Sequence, residues 1–209
     1  MSAEPFFFSH SANKNAPETY ARVMKWFVVT LCGAFLFTAL YIDLWKYFIG
    51  SQYRQGLDVV PILLAANVAL GIYYNLSAWY KVTDKMSIGM YITLVGAALT
   101  IILNVVFIPV YGMYACAWAT LAAYGTMMIL SYLLGQRHYP VNYPLKKIGG
   151  YVALMLTLFA AQKGIMQITD HVWVRLLTGS LFLLAYAGAV VRSEKDEIKG
   201  LPIIGKFLR

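Results

Sequence analysis

Asn67, Tyr74 and Lys81 follow one another at steps of seven residues. At ~100° per residue that spacing drifts only ~20° per step, so on a helix the three share one face. Gly71 falls on the same stripe. An asparagine amide is costly in hydrocarbon, so the stripe is expected to face protein or a water-filled cavity. Interhelical hydrogen bonding satisfies that requirement. So does a polar cavity wall, in which Tyr74 would offer a hydroxyl and a stacking face. Lys81 would then supply a point charge at the end of the stripe. Arg22 and Lys25 are the other basic candidates near apolar segments, and long cationic side chains in such places also act as snorkelling anchors.

Other chemistries lack their residues. No His, Asp or Glu lies deep in an apolar segment: His10 and His138 fall in polar stretches, and His171 at the start of one apolar run. No sequence pattern matches a metal site, a Ser-His-Asp set or a phosphate loop with its lysine. A membrane-embedded enzyme normally needs a charged catalytic group, so the expectation is a protein that is not an enzyme and carries no cofactor. Cys32 and Cys116 lack metal-ligand spacing and read as small buried packing residues.

The elements that must position these residues are membrane spans. Apolar residues make up 60% of the chain and charged residues 12%. A soluble domain is typically ~45–50% apolar and ~25% charged. The net charge of +8 fits basic loops beside a bilayer, and no nucleic-acid motif accompanies it. The fold class is therefore an all-α integral membrane protein with about six transmembrane helices. The expected spans are 23–42, 58–80, 87–108, 113–134, 148–165 and 172–191, with the fifth weakened by Gln162-Lys163. Phe27, Phe35 and Phe37 make the first span bulky, as suits a lipid face. Trp45, Tyr47 and Phe48 are placed as interfacial anchors. Residues 1–22 read as the end of a preceding helix, Glu4-Pro5-Phe6-Phe7-Phe8, and a polar link; an aromatic interfacial anchor is the alternative. Residues 23–134 form a four-helix unit, 135–191 a basic loop and two peripheral spans, and 192–209 a basic amphipathic tail.

The third and fourth spans meet at Ile108-Pro109-Val110-Tyr111-Gly112. Pro109 is expected to end the incoming helix and Gly112 to permit the reversal. Ala115, Ala119, Ala122 and Thr126 repeat along the fourth span, and Thr93, Ala97, Thr100 and Asn104 along the third. Such stripes let helix backbones approach closely in lipid, and the two are expected to face each other.

This hairpin also carries a family resemblance. Ile108-Pro109-x-Tyr111-Gly112-x-x-Ala115-Cys116-Ala117-x-Ala119-Thr120 resembles the IPxYGxxGAAxAT turn of polysaccharide flippases. These belong to the superfamily that also holds multidrug extrusion transporters and lipid II flippases. Ala115 stands where that family usually has Gly and Cys116 where it has Ala; both positions stay small. The resemblance includes Gly56-Leu57-Asp58-Val59-Val60-Pro61-Ile62-Leu63-Leu64, Tyr73-Tyr74-Asn75-Leu76-Ser77 and Glu4-Pro5-Phe6-Phe7-Phe8-Ser9. It covers Glu4 to Pro140 well and the remainder weakly. It implies the C-terminal part of a two-bundle flippase that moves a lipid-linked oligosaccharide between leaflets by alternating access. Partners would be the lipid bilayer, the lipid-linked glycan, and an N-terminal half or other polysaccharide-assembly proteins. Arg22, Lys25 and Lys81 would be the basic candidates for its diphosphate. An ion-coupled exporter of the same superfamily is the alternative, favoured by an intramembrane acid; a structural membrane subunit is a third reading.

Charge sets the expected orientation. With both termini cytoplasmic, Lys14, Arg22, Lys25, Lys81, Lys85, Arg137, Lys146, Lys147, Arg192, Lys195, Lys199, Lys206 and Arg209 make 13 cytoplasmic cations. Lys46, Arg54, Lys163 and Arg175 make 4 on the opposite side. Positive charge gathers on the cytoplasmic side of short loops. Single cysteines replacing Tyr111 and Asp170 are predicted to react with an impermeant thiol reagent added outside the cell membrane, and those replacing Asp84 and Asn142 to stay unlabelled. Outside labelling at Asp84 would reverse the orientation.

Overall fold

The computed structural model describes residues 16–169, 171–195 and 197. The Glu4–Ser9 segment and most of the 192–209 tail lie outside them. The described elements are all helical: α1 (Ala16–Leu40), α2 (Ile42–Trp45), a 3-10 helix (Ser51–Val59), α3 (Val60–Leu76), α4 (Ala78–Val82), α5 (Met86–Tyr111), α6 (Met113–His138), α7 (Leu145–Ile168) and α8 (Val172–Ser193). Among the described residues, 6 helical segments are long and apolar enough to cross a membrane, with α3 and α4 counted as one span with the 3-10 helix before them. Helices are what an apolar solvent allows, because each satisfies its backbone hydrogen bonds internally.

The spans run longer than the apolar periodicity marks. α1 is already helical at Ala16, ahead of Val23, and α6 continues to His138. α7 passes straight through Gln162-Lys163 to Ile168. Gln162 is buried there: its amide donates to the Arg175 carbonyl at 2.9 Å and accepts from Thr178 at 3.1 Å. Lys163 sits over the Phe159 ring at 6.0 Å. The polar pair is thus absorbed by neighbours and does not end the helix.

Pro109 does not end α5 either; it lies inside the helix, which stops at Gly112. Proline's fixed φ is helical, and near a helix end its missing N–H leaves only one carbonyl without its usual donor. The reversal rests on Gly112 alone, at φ 55°, whose N–H donates to the Ile108 carbonyl at 2.9 Å. A second interruption separates α3 from α4 at Ser77, whose hydroxyl donates to the Tyr74 carbonyl at 2.6 Å.

Two packing units meet at α1. In the first, α6 lies against both α3 and α5; in the second, α7 and α8 pair with each other. α1 packs on α3 from one side and on α7 and α8 from the other. The main core is built on α1 residues Met24, Val28, Cys32, Phe35, Leu36 and Leu40, with Met155 and Tyr186 from the α7–α8 pair. Phe35 is therefore a core residue, set edge-on to Phe159 at 5.5 Å, while Phe27 and Phe37 remain 38% and 49% exposed. A smaller cluster joins Tyr73 of α3, Ile92 of α5 and Met127 of α6.

The small-residue seam of α6 differs from the expected one. Ala115, Ala119 and Ala123 are buried, followed by Met127 and Ser131, whereas Ala122 is exposed. The buried positions step by four, so the face continues through Ala123, and Ala122 is rotated out. On α5 the buried residues are Gly89, Ile92 and Gly96 rather than Thr93 and Ala97, which are more exposed. Gly96 is required by closeness: a Cβ there would collide with the Met127 side chain. Cys116 likewise points away from the seam and is exposed; only Cys32 is a buried packing residue.

Lipid offers little hydrophobic drive for helix association, so close packing has to supply it. Ala119→Leu and Ala123→Leu are predicted to lower stability in detergent by ~1–3 kcal/mol each, the usual range for overpacking. Ala122→Leu should leave melting nearly unchanged. Equal melting of all three variants would remove the seam.

Candidate functional site

The polar stripe on α3 divides. Gly71 turns toward α1, where a Cβ would strike Leu31 and Phe27. Asn67 and Tyr74 are exposed, and no described helix covers them. The Asn67 amide donates to the Leu63 carbonyl of its own helix at 2.8 Å. This intrahelical bond satisfies part of the side chain without a neighbouring helix, and the amide oxygen remains an acceptor. Tyr74 is 61% exposed, its ring 5.7 Å from that of Tyr73.

The interhelical hydrogen-bonding role belongs to Tyr73 instead. Its buried hydroxyl lies 3.2 Å from the Tyr80 hydroxyl and 3.3 Å from the Thr93 hydroxyl, linking α3 to α4 and α5. A buried tyrosine needs a partner for its O–H. The sequence shows two adjacent tyrosines, and only packing distinguishes the inward one from the outward one. Lys81 lies beyond the break at Ser77, on α4, and is half-buried. The fold therefore keeps Asn67 and Tyr74 together on one face and puts Lys81 on a separate short helix. Arg22 is exposed at the start of α1.

Lys25 has a different neighbourhood from a cavity wall. It is 3% exposed and its ammonium donates to Glu194 at 2.5 Å. Glu197 is 2.7 Å from the same nitrogen. Lys147 and the Tyr151 hydroxyl of α7 donate to the other Glu194 oxygen at 3.0 and 2.8 Å. The Trp26 indole donates to Glu197 at 3.2 Å. Two lysines and two glutamates thus neutralise one another where the N-terminal half of α1, the start of α7 and the end of α8 converge. Burial pushes the Glu194 carboxyl up, but hydrogen bonds from Lys25, Tyr151 and Lys147 outweigh it and hold the group below its ordinary value. The hydrogen bond from Lys25 holds Glu197 below its ordinary value as well.

A matching cluster fixes the opposite end of the same three helices. Asp43 of α2 accepts from Lys46 at 3.0 Å and faces the Arg175 guanidinium at 3.6 Å. Arg175 also donates to the Thr169 and Met166 carbonyls, each at 2.9 Å, and so closes the end of α7. Sequence reading finds no acid deep in a span, and Glu194 and Asp43 do lie at helix ends. Their burial comes from neighbours remote in sequence, which no local pattern announces. Among the described residues, no group of three or more His, Cys, Asp or Glu is placed to hold a metal ion.

The pH response of the ionic cluster has a definite sign. Groups facing Glu194 are Lys25 from α1, Lys147 and Tyr151 from α7, and Glu197 beside it. A carboxyl whose folded pKa is depressed contributes stability above its unfolded pKa, ~4.3 for glutamate, and that contribution disappears as pH falls through the folded value. Melting in detergent is predicted to be steady near neutral pH and to fall below the ordinary glutamate range. Glu194→Gln should destabilise at neutral pH and flatten that acid slope. Its cost should stay under the ~3–5 kcal/mol typical of an uncompensated buried ion, because Glu197 remains on Lys25. An unchanged acid slope in the variant would assign the pH response to other groups.

Comparison with known proteins finds no matching family model, curated protein or solved structure. The chain's own features establish a helical bundle with six segments of membrane-spanning length and composition, with a polar α3 face left uncovered.

Proposed function

We propose that the chain is a membrane flippase, or part of one, that translocates a lipid-linked oligosaccharide for cell-surface polysaccharide biosynthesis. The observation that carries the reading is the uncovered Asn67–Tyr74 face in the middle of a span. Lipid alone would leave the Asn67 acceptor without a partner, whereas an aqueous cavity would satisfy it. The Tyr74 ring would stack on a sugar while its hydroxyl hydrogen-bonds. The resemblance of the α5–α6 turn to polysaccharide flippases supports the same class.

In this reading α1, α3, α5 and α6 form one wall of the cavity, and a second helical bundle forms the other. α7 and α8 are peripheral. The protein lies in the cell membrane with its basic end cytoplasmic, where a glycan's diphosphate would arrive. Arg22 and Lys81 are the cations for that diphosphate. Lys25, held by Glu194 and Glu197, serves the bundle itself.

The test compares export with stability. Asn67→Ala and Tyr74→Phe should leave membrane insertion and melting unchanged but lower surface-glycan export in cells. Single cysteines at the same two positions should react with a water-soluble thiol reagent. If Asn67 serves packing instead, Asn67→Ala lowers stability and its cysteine is unreactive. Protection of both cysteines in every conformational state would end the cavity reading.

A further inference from the structure

An apolar groove of about 610 Å³ opens between the α3–α6 face and α7. It exists because α7 packs chiefly on α1 and α8, so the helices across from it are left apart. The depth of the groove is the informative feature. Its lining runs from Leu76 to Ala65 on α3, from Tyr132 to Leu121 on α6, and from Leu145 to Leu156 on α7. Each of these stretches spans eleven residue steps. At ~1.5 Å per residue that is about 16 Å, or one leaflet of a ~30 Å hydrocarbon core.

The three shallow ends lie together at the basic end of the bundle. Tyr132 and Tyr143 form the mouth, their rings 6.3 Å apart. Arg137 follows Tyr132 on α6, and Lys146 follows Leu145 in the first turn of α7. Lys146 is exposed, whereas its neighbour Lys147 is engaged with Glu194. A one-leaflet apolar slot with phenols and an exposed cation at its mouth is complementary in shape and charge to a single anionic membrane phospholipid. A dry void of this size would forfeit dispersion contacts along its whole lining.

We infer that the groove holds one acyl chain of an anionic glycerophospholipid from the leaflet at the basic end, with the phosphate headgroup at Lys146 and the Tyr132–Tyr143 mouth. The chain completes the packing between α7 and the α3–α6 face that protein side chains leave open. The site is separate from the Asn67–Tyr74 face and does not depend on the transport reading. One leaflet of depth suits an ordinary acyl chain rather than a long polyprenyl tail.

Gly149 supplies a clean probe. It lines the groove, and a Cβ placed on it meets nothing within 4 Å. Gly149→Leu therefore fills the slot from an open position. The protein is reconstituted in phosphatidylcholine containing phosphatidylglycerol, extracted, washed, and its retained lipids are counted by native mass spectrometry. Wild type should retain one phosphatidylglycerol in preference to phosphatidylcholine, by about fivefold, as expected for one lysine near an anionic headgroup. Gly149→Leu should lose that lipid, and Lys146→Gln should retain a lipid but lose the preference. Leu156→Trp, which narrows the deep end from an exposed position, gives a second loss variant should Gly149→Leu lower helix content. Equal retention of the two lipids by wild type, or undiminished phosphatidylglycerol in a folded groove-filling variant, overturns the proposal.

Discussion

Helix α1 is held to the α7–α8 pair by two charged clusters, one at Lys25 and one at Asp43 just beyond its C-terminal end, and by apolar packing between. At the first, Lys25 meets Glu194 and Glu197, with Lys147 on the Glu194 carboxylate. At the other, Arg175 faces Asp43, and the Tyr41 and Ser180 hydroxyls are 2.7 Å apart. Between them the Tyr186 hydroxyl donates to the Val29 carbonyl at 2.8 Å. Buried ions that are fully paired add little net energy but strongly penalise any arrangement that separates them. These contacts therefore favour the observed helix neighbours and their register over arrangements that would separate the charges.

The other unit is built differently. α6 approaches α3 and α5 through alanine and glycine, and no salt bridge links the three helices among the described residues. Close backbone approach gains dispersion energy without ordering long side chains, which suits association in lipid. Polar links within this unit are few and neutral: the Tyr73 hydroxyl network, and the Trp79 indole donating to the Ser131 carbonyl at 3.2 Å. The bundle thus combines a charge-fixed half with a small-residue half, and α1 is common to both.

That division explains where polar surface remains available. In the charge-fixed half the buried acids and lysines are occupied with one another. In the small-residue half, α3 turns Gly71 and Tyr73 inward and leaves Asn67 and Tyr74 facing out. A polar face in mid-span with no helix over it is the feature that the functional reading must account for.

The sequence by itself determined the class of the molecule and the number of its spans. Long apolar runs in a chain with 12% charged residues leave the backbone no solvent but itself, and this favours helices of membrane length. It located the Gly112 reversal and placed Asn67 and Tyr74 on one face, because helical periodicity is local. Tertiary structure alone decided the rest. Ala123 rather than Ala122 enters the seam because helix rotation is set by the partner's shape. Pro109 stays helical because loss of one donor near a terminus is cheaper than unwinding in lipid. Lys25 became a structural cation because Glu194, 169 positions away, folds against it. Contacts at that separation depend on how helices are arranged in space, and no spacing within one segment encodes them.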